Sequence, residues 1–194
     1  KRTAELIRPI LRGRDIRRYE YEWADKYLIA TFPSRHYDIE LYPAVKRHLL
    51  SFGKERLEQT GKTYSINGEK IKARKKTHNK WFETQDSISY WEDFMRPKII
   101  WKRIGSILRF SYDTTGNLGL DSTCFATGQH MAYLCCILNS LMGHYMFKDS
   151  PKTGTGDLLV SVQAIEPILI PMNKDMECLF EKLLEEVLEH RSEE

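Results

Sequence analysis

Residues 70–80 read Lys-Ile-Lys-Ala-Arg-Lys-Lys-Thr-His-Asn-Lys, with six basic side chains and no acidic one. Duplex DNA carries one charge per ~1.7 Å of its axis, and each phosphate neutralised by Lys or Arg releases a condensed counterion, so such a run suits a polyanion. Lys72, Lys75, Lys76 and Lys80 are candidates for phosphate contact. Arg74 and Asn79 add side chains able to make paired hydrogen bonds to guanine and adenine edges. Trp81 and Phe82 follow directly as packing or stacking groups. A solvated basic loop would have the same composition. A second cluster, Arg12, Arg14, Arg17 and Arg18, surrounds Gly13, whose freedom from a side chain lets a phosphate approach the backbone. The alternative there is a strand edge guarded by charge. Lys102 and Arg103 end an expected strand, and Lys152, Thr153 and Thr155 stand on a Gly-rich loop. Either group suits a nucleic-acid backbone, and either also reads as ordinary surface.

The chemistry of catalysis is missing from the same residues. No GxxxxGK[ST] phosphate loop, GxGxxG dinucleotide turn, GxSxG nucleophile elbow or HExxH pair occurs. His36, His48, His78, His130, His144 and His190 never pair at metal-ligand spacing and read as structural or surface residues. A metal-dependent nuclease needs clustered carboxylates around its cation, and no Asp/Glu-x-Lys triplet is present; Asp38/Glu40 and Glu92/Asp93 read as surface acids. The Asn-Pro-Pro-aromatic motif and Gly-rich cofactor turn of an adenine methyltransferase are also missing. No catalytic, metal or cofactor-binding residue is therefore assigned. Cys124, Cys135, Cys136 and Cys178 form no CxxC pair and read as buried, reduced thiols.

The elements that must position these groups follow from periodicity. The 194 residues, 41% of them hydrophobic, suit one large domain or one domain with an appendage, and can bury a core. The chain opens without Met or a signal pattern and has no apolar run near ~18 residues. A soluble, cytoplasmic piece of something larger is expected. The net charge of +3 divides into −5 over residues 173–194 and +8 over the rest. Aromatic and β-branched runs predict a strand at 27–30, a helix over about 42–58 that begins at Pro43, and a hairpin at Asn67-Gly68. Strands are expected at 98–102, at 108–112 where apolar residues alternate with Arg109 and Ser111, around 118–126, and at 158–162. Helices are expected over 129–147 and, from the N-cap candidate Asn173, through the acidic end.

Several segments resemble a known family in order along the chain. Ile7-Arg8-Pro9-Ile10-Leu11-Arg12-Gly13-Arg14-Asp15-Ile16-Arg17-Arg18-Tyr19 is similar to the opening of TaqI-like C-terminal specificity domains. Arg96-Pro97-Lys98-Ile99-Ile100-Trp101 resembles their Pro-Lys-Ile strand, and Phe110–Asp113 the next strand and turn. Tyr133-Leu134-Cys135-Cys136-Ile137-Leu138-Asn139-Ser140 resembles their Leu-Asn-Ser helix, and 162–171, ending Ile168-Leu169-Ile170-Pro171, their closing Ile-Pro strand. The likeness spans about 6–172. It implies a target recognition domain of a type IIG restriction-modification enzyme or a related phage-defence adenine methyltransferase. Such a domain holds duplex DNA against an N-terminal methyltransferase domain that flips an adenine and uses S-adenosylmethionine. The matched motifs themselves are expected to serve the fold, with Asn139 capping or bridging backbone groups.

These readings combine into an α/β (α+β) expectation: a mixed, mostly antiparallel sheet with packed helices as a DNA recognition domain over 1–172, then a C-terminal acidic amphipathic helix over 173–194 as appendage or connector. Phosphate contacts would come from 70–80 and 12–18, and base contacts from 74–80 and 102–106. The chain alone is not expected to be an enzyme. Rival readings are a protein-interaction scaffold of a defence complex and a divergent nuclease.

Overall fold

The computed structural model describes residues 2–192. Its strands are β1 (Ile7–Leu11), β2 (Tyr27–Ile29), β3 (Thr63–Ile66), β4 (Glu69–Lys72), β5 (Lys98–Lys102), β6 (Ile104–Gly105), β7 (Phe110–Asp113), β8 (Leu118–Gly119), β9 (Thr123–Thr127) and β10 (Leu158–Leu159). Its helices are α1 (Thr3–Leu6), α2 (Pro43–Leu50), α3 (Lys54–Leu57), α4 (Met131–Asn139), α5 (Leu141–Met146), α6 (Val162–Ile165) and α7 (Lys174–Ser192). The chain divides into two compact units: residues up to Arg8 with Tyr27–Trp91, and Pro9–Lys26 with everything from Glu92.

The first unit packs Leu6, Ile39, Tyr42, Val45 and Phe82 together. Pro43 opens α2 at the position where its missing N–H is no loss. The expected single helix over 42–58 is two, because Gly53 adopts φ +87°, outside the helical region, and α3 restarts after it. β3 and β4 form an antiparallel hairpin, Ile66 opposite Glu69. Its turn residues Asn67 and Gly68 sit at φ 50° and 84°, the left-handed pair that an Asn-Gly hairpin needs.

The second unit is built on the antiparallel sheet β7-β5-β9, with Trp101 opposite Phe110 and Cys124. Alternation along β5 sends Ile99 and Trp101 into one core with Phe110, Cys135, Leu138 and Phe147, and Ile100 into another with Leu11 and Ile16. Ile10 and Leu11 of β1 pair in parallel with β8, and β10 pairs antiparallel with β6. The structure thus has mixed α and β content in small, mostly antiparallel sheets, as the expected fold class requires. The acidic helix α7 is part of this packing, because Leu184 is buried in the main core. Asn173 caps it, its Oδ1 accepting from the Asp175 and Met176 amides at 3.0 and 3.2 Å.

Polar groups fasten the sheet from inside. Lys98 and Asp113 are fully buried and form an ion pair, and Lys98 Nζ also donates to the Phe94 carbonyl at 2.8 Å. Asp113 accepts further from the Thr115 amide (2.9 Å), the Thr115 hydroxyl (2.7 Å) and the Asn117 amide (3.1 Å). Asn139 bridges backbone as expected: its Oδ1 accepts from Phe110 N at 3.1 Å, and its Nδ2 donates to Phe110 O at 2.7 Å.

Four further expected elements change. The helix over 129–147 breaks at Ser140, which turns extended and accepts the Gly143 amide on its hydroxyl at 3.2 Å. A Cβ on Gly143 would stand 2.4 Å from the Ile137 and Leu138 carbonyl oxygens, so glycine permits the second helix to start there. The strand at 118–126 is interrupted between β8 and β9, and that at 158–162 shortens to β10. The expected closing strand within 162–171 is not formed: α6 occupies its start, and Pro167 and Pro171 lack the N–H groups that a ladder uses.

Candidate nucleic-acid interface

In the second unit, Lys102 ends β5, the central strand of its sheet, and the chain returns as β7 after a basic hairpin, residues 103–109. Across from it lies the short 3-10 turn Gly13–Asp15. Gly13 N donates to the Ser122 hydroxyl at 3.0 Å. A Cβ there would meet Lys102 Cγ at 2.9 Å and the Ser122 carbonyl at 3.1 Å, so this glycine lets the lysine stem lie against the turn. Gly105 stands under the other end of the same side chain, its would-be Cβ 3.7 Å from Lys102 Nζ. The result is a solvent-open groove of about 260 Å³ with Arg14, Arg17, Lys102 and Arg109 in its wall. The structure thereby joins cations from the 12–18 cluster with Lys102.

Arg12, grouped with that cluster by sequence, has a different task. Its Nε and Nη2 both bind the buried Asp15 carboxylate, with Nη2 at 2.7 Å, and its amide donates to the same group at 2.8 Å. These hydrogen bonds hold the Asp15 carboxyl below the ordinary Asp range, so the pair stays ionised and largely cancels itself. Arg17 pairs with Glu22 while donating to the Arg14 carbonyl at 2.7 Å, and it holds the Glu22 carboxyl low in turn. Arg18 lines an adjoining cavity with Glu20 and Glu22. Among the described residues, no carboxylate lies within ion-pairing distance of Arg14, Arg18, Lys102, Arg103 or Arg109.

Arg109 was not among the residues that the basic runs pointed to. The signal for it was the alternation of Leu108, Arg109 and Phe110, which places the arginine on the outer side of the strand. Arg103 is exposed, with its backbone held by Ser122 O and Val160 N at 3.0 and 2.8 Å. Lys152 and Thr153 sit on the neighbouring turn: Lys152 bridges to Leu158, which pairs with Gly105. Lys152 is exposed, while the Thr153 hydroxyl bonds Thr155 at 2.8 Å.

The basic run of the first unit separates into anchors and free cations. Arg74 donates to the carbonyls of Leu57 (2.7 Å), Glu83 (2.9 Å) and Trp81, and burial lowers its pKa. Asn79 Nδ2 donates to the Thr84 and Gln85 carbonyls at 3.0 and 2.8 Å. The side chains expected to meet base edges therefore hold their own loop together. Gln59, missed in the sequence because a lone glutamine carries no signal, joins them by donating to the Lys80 and Glu83 carbonyls. Lys72, Lys75, Lys76 and Lys80 are exposed, Lys80 lying over the Phe82 ring.

The sequence matches the family model of the TaqI-like C-terminal specificity domain over residues 8–159. No curated protein matches the chain. The matched span contains the groove, the lysines of the first unit, the Lys98–Asp113 pair and Asn139. Among the described residues, no helix is long and apolar enough to cross a membrane.

Proposed function

The chain belongs to the family of TaqI-like C-terminal specificity domains, whose class of function is DNA recognition in restriction-modification enzymes, and from this membership we propose that it reads specific sequences in duplex DNA for a catalytic domain outside the chain. The observation that carries the reading is the groove of Arg14, Arg17, Lys102 and Arg109, where, among the described residues, Arg14, Lys102 and Arg109 make no direct ion pair and Gly13 leaves room for the Lys102 stem. Phosphates held there and at Lys152 and Arg103 fix the register of the duplex, and Lys72, Lys75, Lys76 and Lys80 of the first unit are candidates for phosphate contact on their own. The catalytic partner in this reading is an N-terminal adenine-specific methyltransferase domain in a cytoplasmic phage-defence enzyme. S-adenosylmethionine belongs to that domain; the present chain has no Gly-rich cofactor turn to hold it.

A salt series of duplex binding by the full chain tests this. Affinity should fall steeply as salt rises. Changing Lys102 and Arg109 to Ala should reduce the slope of log K against log salt by about 1 for each phosphate that is no longer neutralised. Equal slopes for the variant and the parent would remove the groove from the interface. A scaffold reading is favoured by the α5 surface, where Leu141 and Met142 are 89% and 59% exposed. Absence of salt-dependent binding, also when the chain is joined to its catalytic domain, would select it.

A further inference from the structure

The tip of the β5–β7 hairpin presents an unusual side chain for so charged a surface. Ile107 is 58% exposed, and it lines both the groove of Arg14, Arg17, Lys102 and Arg109 and the adjoining cavity of Arg18, Glu20 and Glu22. A loop that served only to attract phosphates would gain nothing from a β-branched aliphatic side chain at its centre.

The backbone around Ile107 is fixed at both ends. Leu108 is buried in the core, Phe110 is pinned by Asn139, and Ile104 pairs with Leu159 of β10. Gly105 and Ser106 precede it, small enough for the hairpin to approach another surface closely. Ile107 is therefore an apolar group on a hairpin anchored to the core at both ends, beside the groove cations Arg14, Arg17, Lys102 and Arg109 that would draw a sugar-phosphate strand to that side. The major groove offers an aliphatic side chain one matching feature, the 5-methyl group of thymine.

We infer that Ile107 is a specificity residue that reads a thymine methyl in the major groove. This rests on the DNA-recognition reading and goes beyond the cationic contacts, which carry no sequence information.

The test starts from salt-dependent binding of the full chain to random duplex, which establishes the DNA reading by itself. Selection from a random pool then defines a preferred site, and that site is compared with a copy carrying deoxyuridine in place of thymine. Loss of one buried methyl should weaken binding about three- to five-fold. Ile107→Ala should lose a similar factor on the thymine site and bind both duplexes alike, with an unchanged melting temperature. The inference is overturned if the parent ignores the thymine-to-uracil change, or if Ile107→Ala weakens both duplexes equally, as a wedge between base steps would. A pool that emerges without preference overturns it too while leaving DNA binding intact. No binding to any duplex removes the DNA reading and this assignment together.

Discussion

Lys98→Met is a sharp test of how the second unit is held together. Methionine retains most of the apolar stem and deletes the ammonium group. In the native protein that group is fully buried, paired with Asp113 and bonded to the Phe94 carbonyl. Without it, the Asp113 carboxylate keeps its donors from Thr115 and Asn117 but loses its counter-charge. Breaking a buried pair from one side costs about 3–5 kcal/mol, most of it the penalty of an uncompensated charge. For 194 residues the unfolding entropy near the midpoint is ~0.4 kcal/mol/K. A loss of about 4 kcal/mol therefore lowers the midpoint by roughly 10 °C. Thermal melts followed by circular dichroism, with urea titrations for the free energy, measure it. Adding Asp113→Asn to Lys98→Met removes the stranded charge and should recover a substantial part of the loss. A single variant melting within about 2 °C of the parent, or a double variant no more stable than the single, would refute the account.

Arg74→Ala should destabilise the first unit by about 2–3 kcal/mol, since three carbonyls lose a charged donor; urea unfolding checks this, and a variant of unchanged stability would return Arg74 to the pool of free cations. Because the Asp15 carboxyl is held low in the folded state, its stabilising contribution is present above the unfolded value near ~3.9 and disappears as pH falls through the lower folded value. Asp15→Asn should thus lose less stability than the parent as pH falls below about 4, and parallel acid titrations of the two would contradict the pairing. Cys178 is exposed, contrary to the expectation of uniformly buried thiols, whereas burial pushes the Cys136 thiol up to about 11 and Cys135 higher still. A maleimide at pH 7 should label Cys178 first, and Cys178→Ser should abolish the fast phase; rapid labelling of Cys135 in the folded protein would contradict the burial.

Much of this protein was legible in short windows of sequence. The Asn67-Gly68 turn, the Pro43 helix start, the Asn173 cap and the β5 strand depend on backbone preferences and periodicity within a few residues, and these act wherever the segment lies. The order of family-like motifs likewise needed no structure. What a short window does not contain is the partner of a charge. Nothing in the run Pro97-Lys98-Ile99-Ile100 names Asp113, fifteen residues on, as the partner of Lys98. Arg12 finds Asp15 only three residues on, but Arg74 belongs to a basic run by composition and is committed to its own loop by the Leu57 carbonyl, seventeen residues back, which only folding brings to it. The groove depends on longer range still. Its wall forms because Gly13 meets Ser122, 109 positions away, and the Lys102 stem lies against the same turn. Sequence determined how many cations the chain has and on which segments they lie. Tertiary structure decided which of them remain uncompensated, because a charge is cancelled by proximity in space, and proximity across a hundred residues is a property of the packed core.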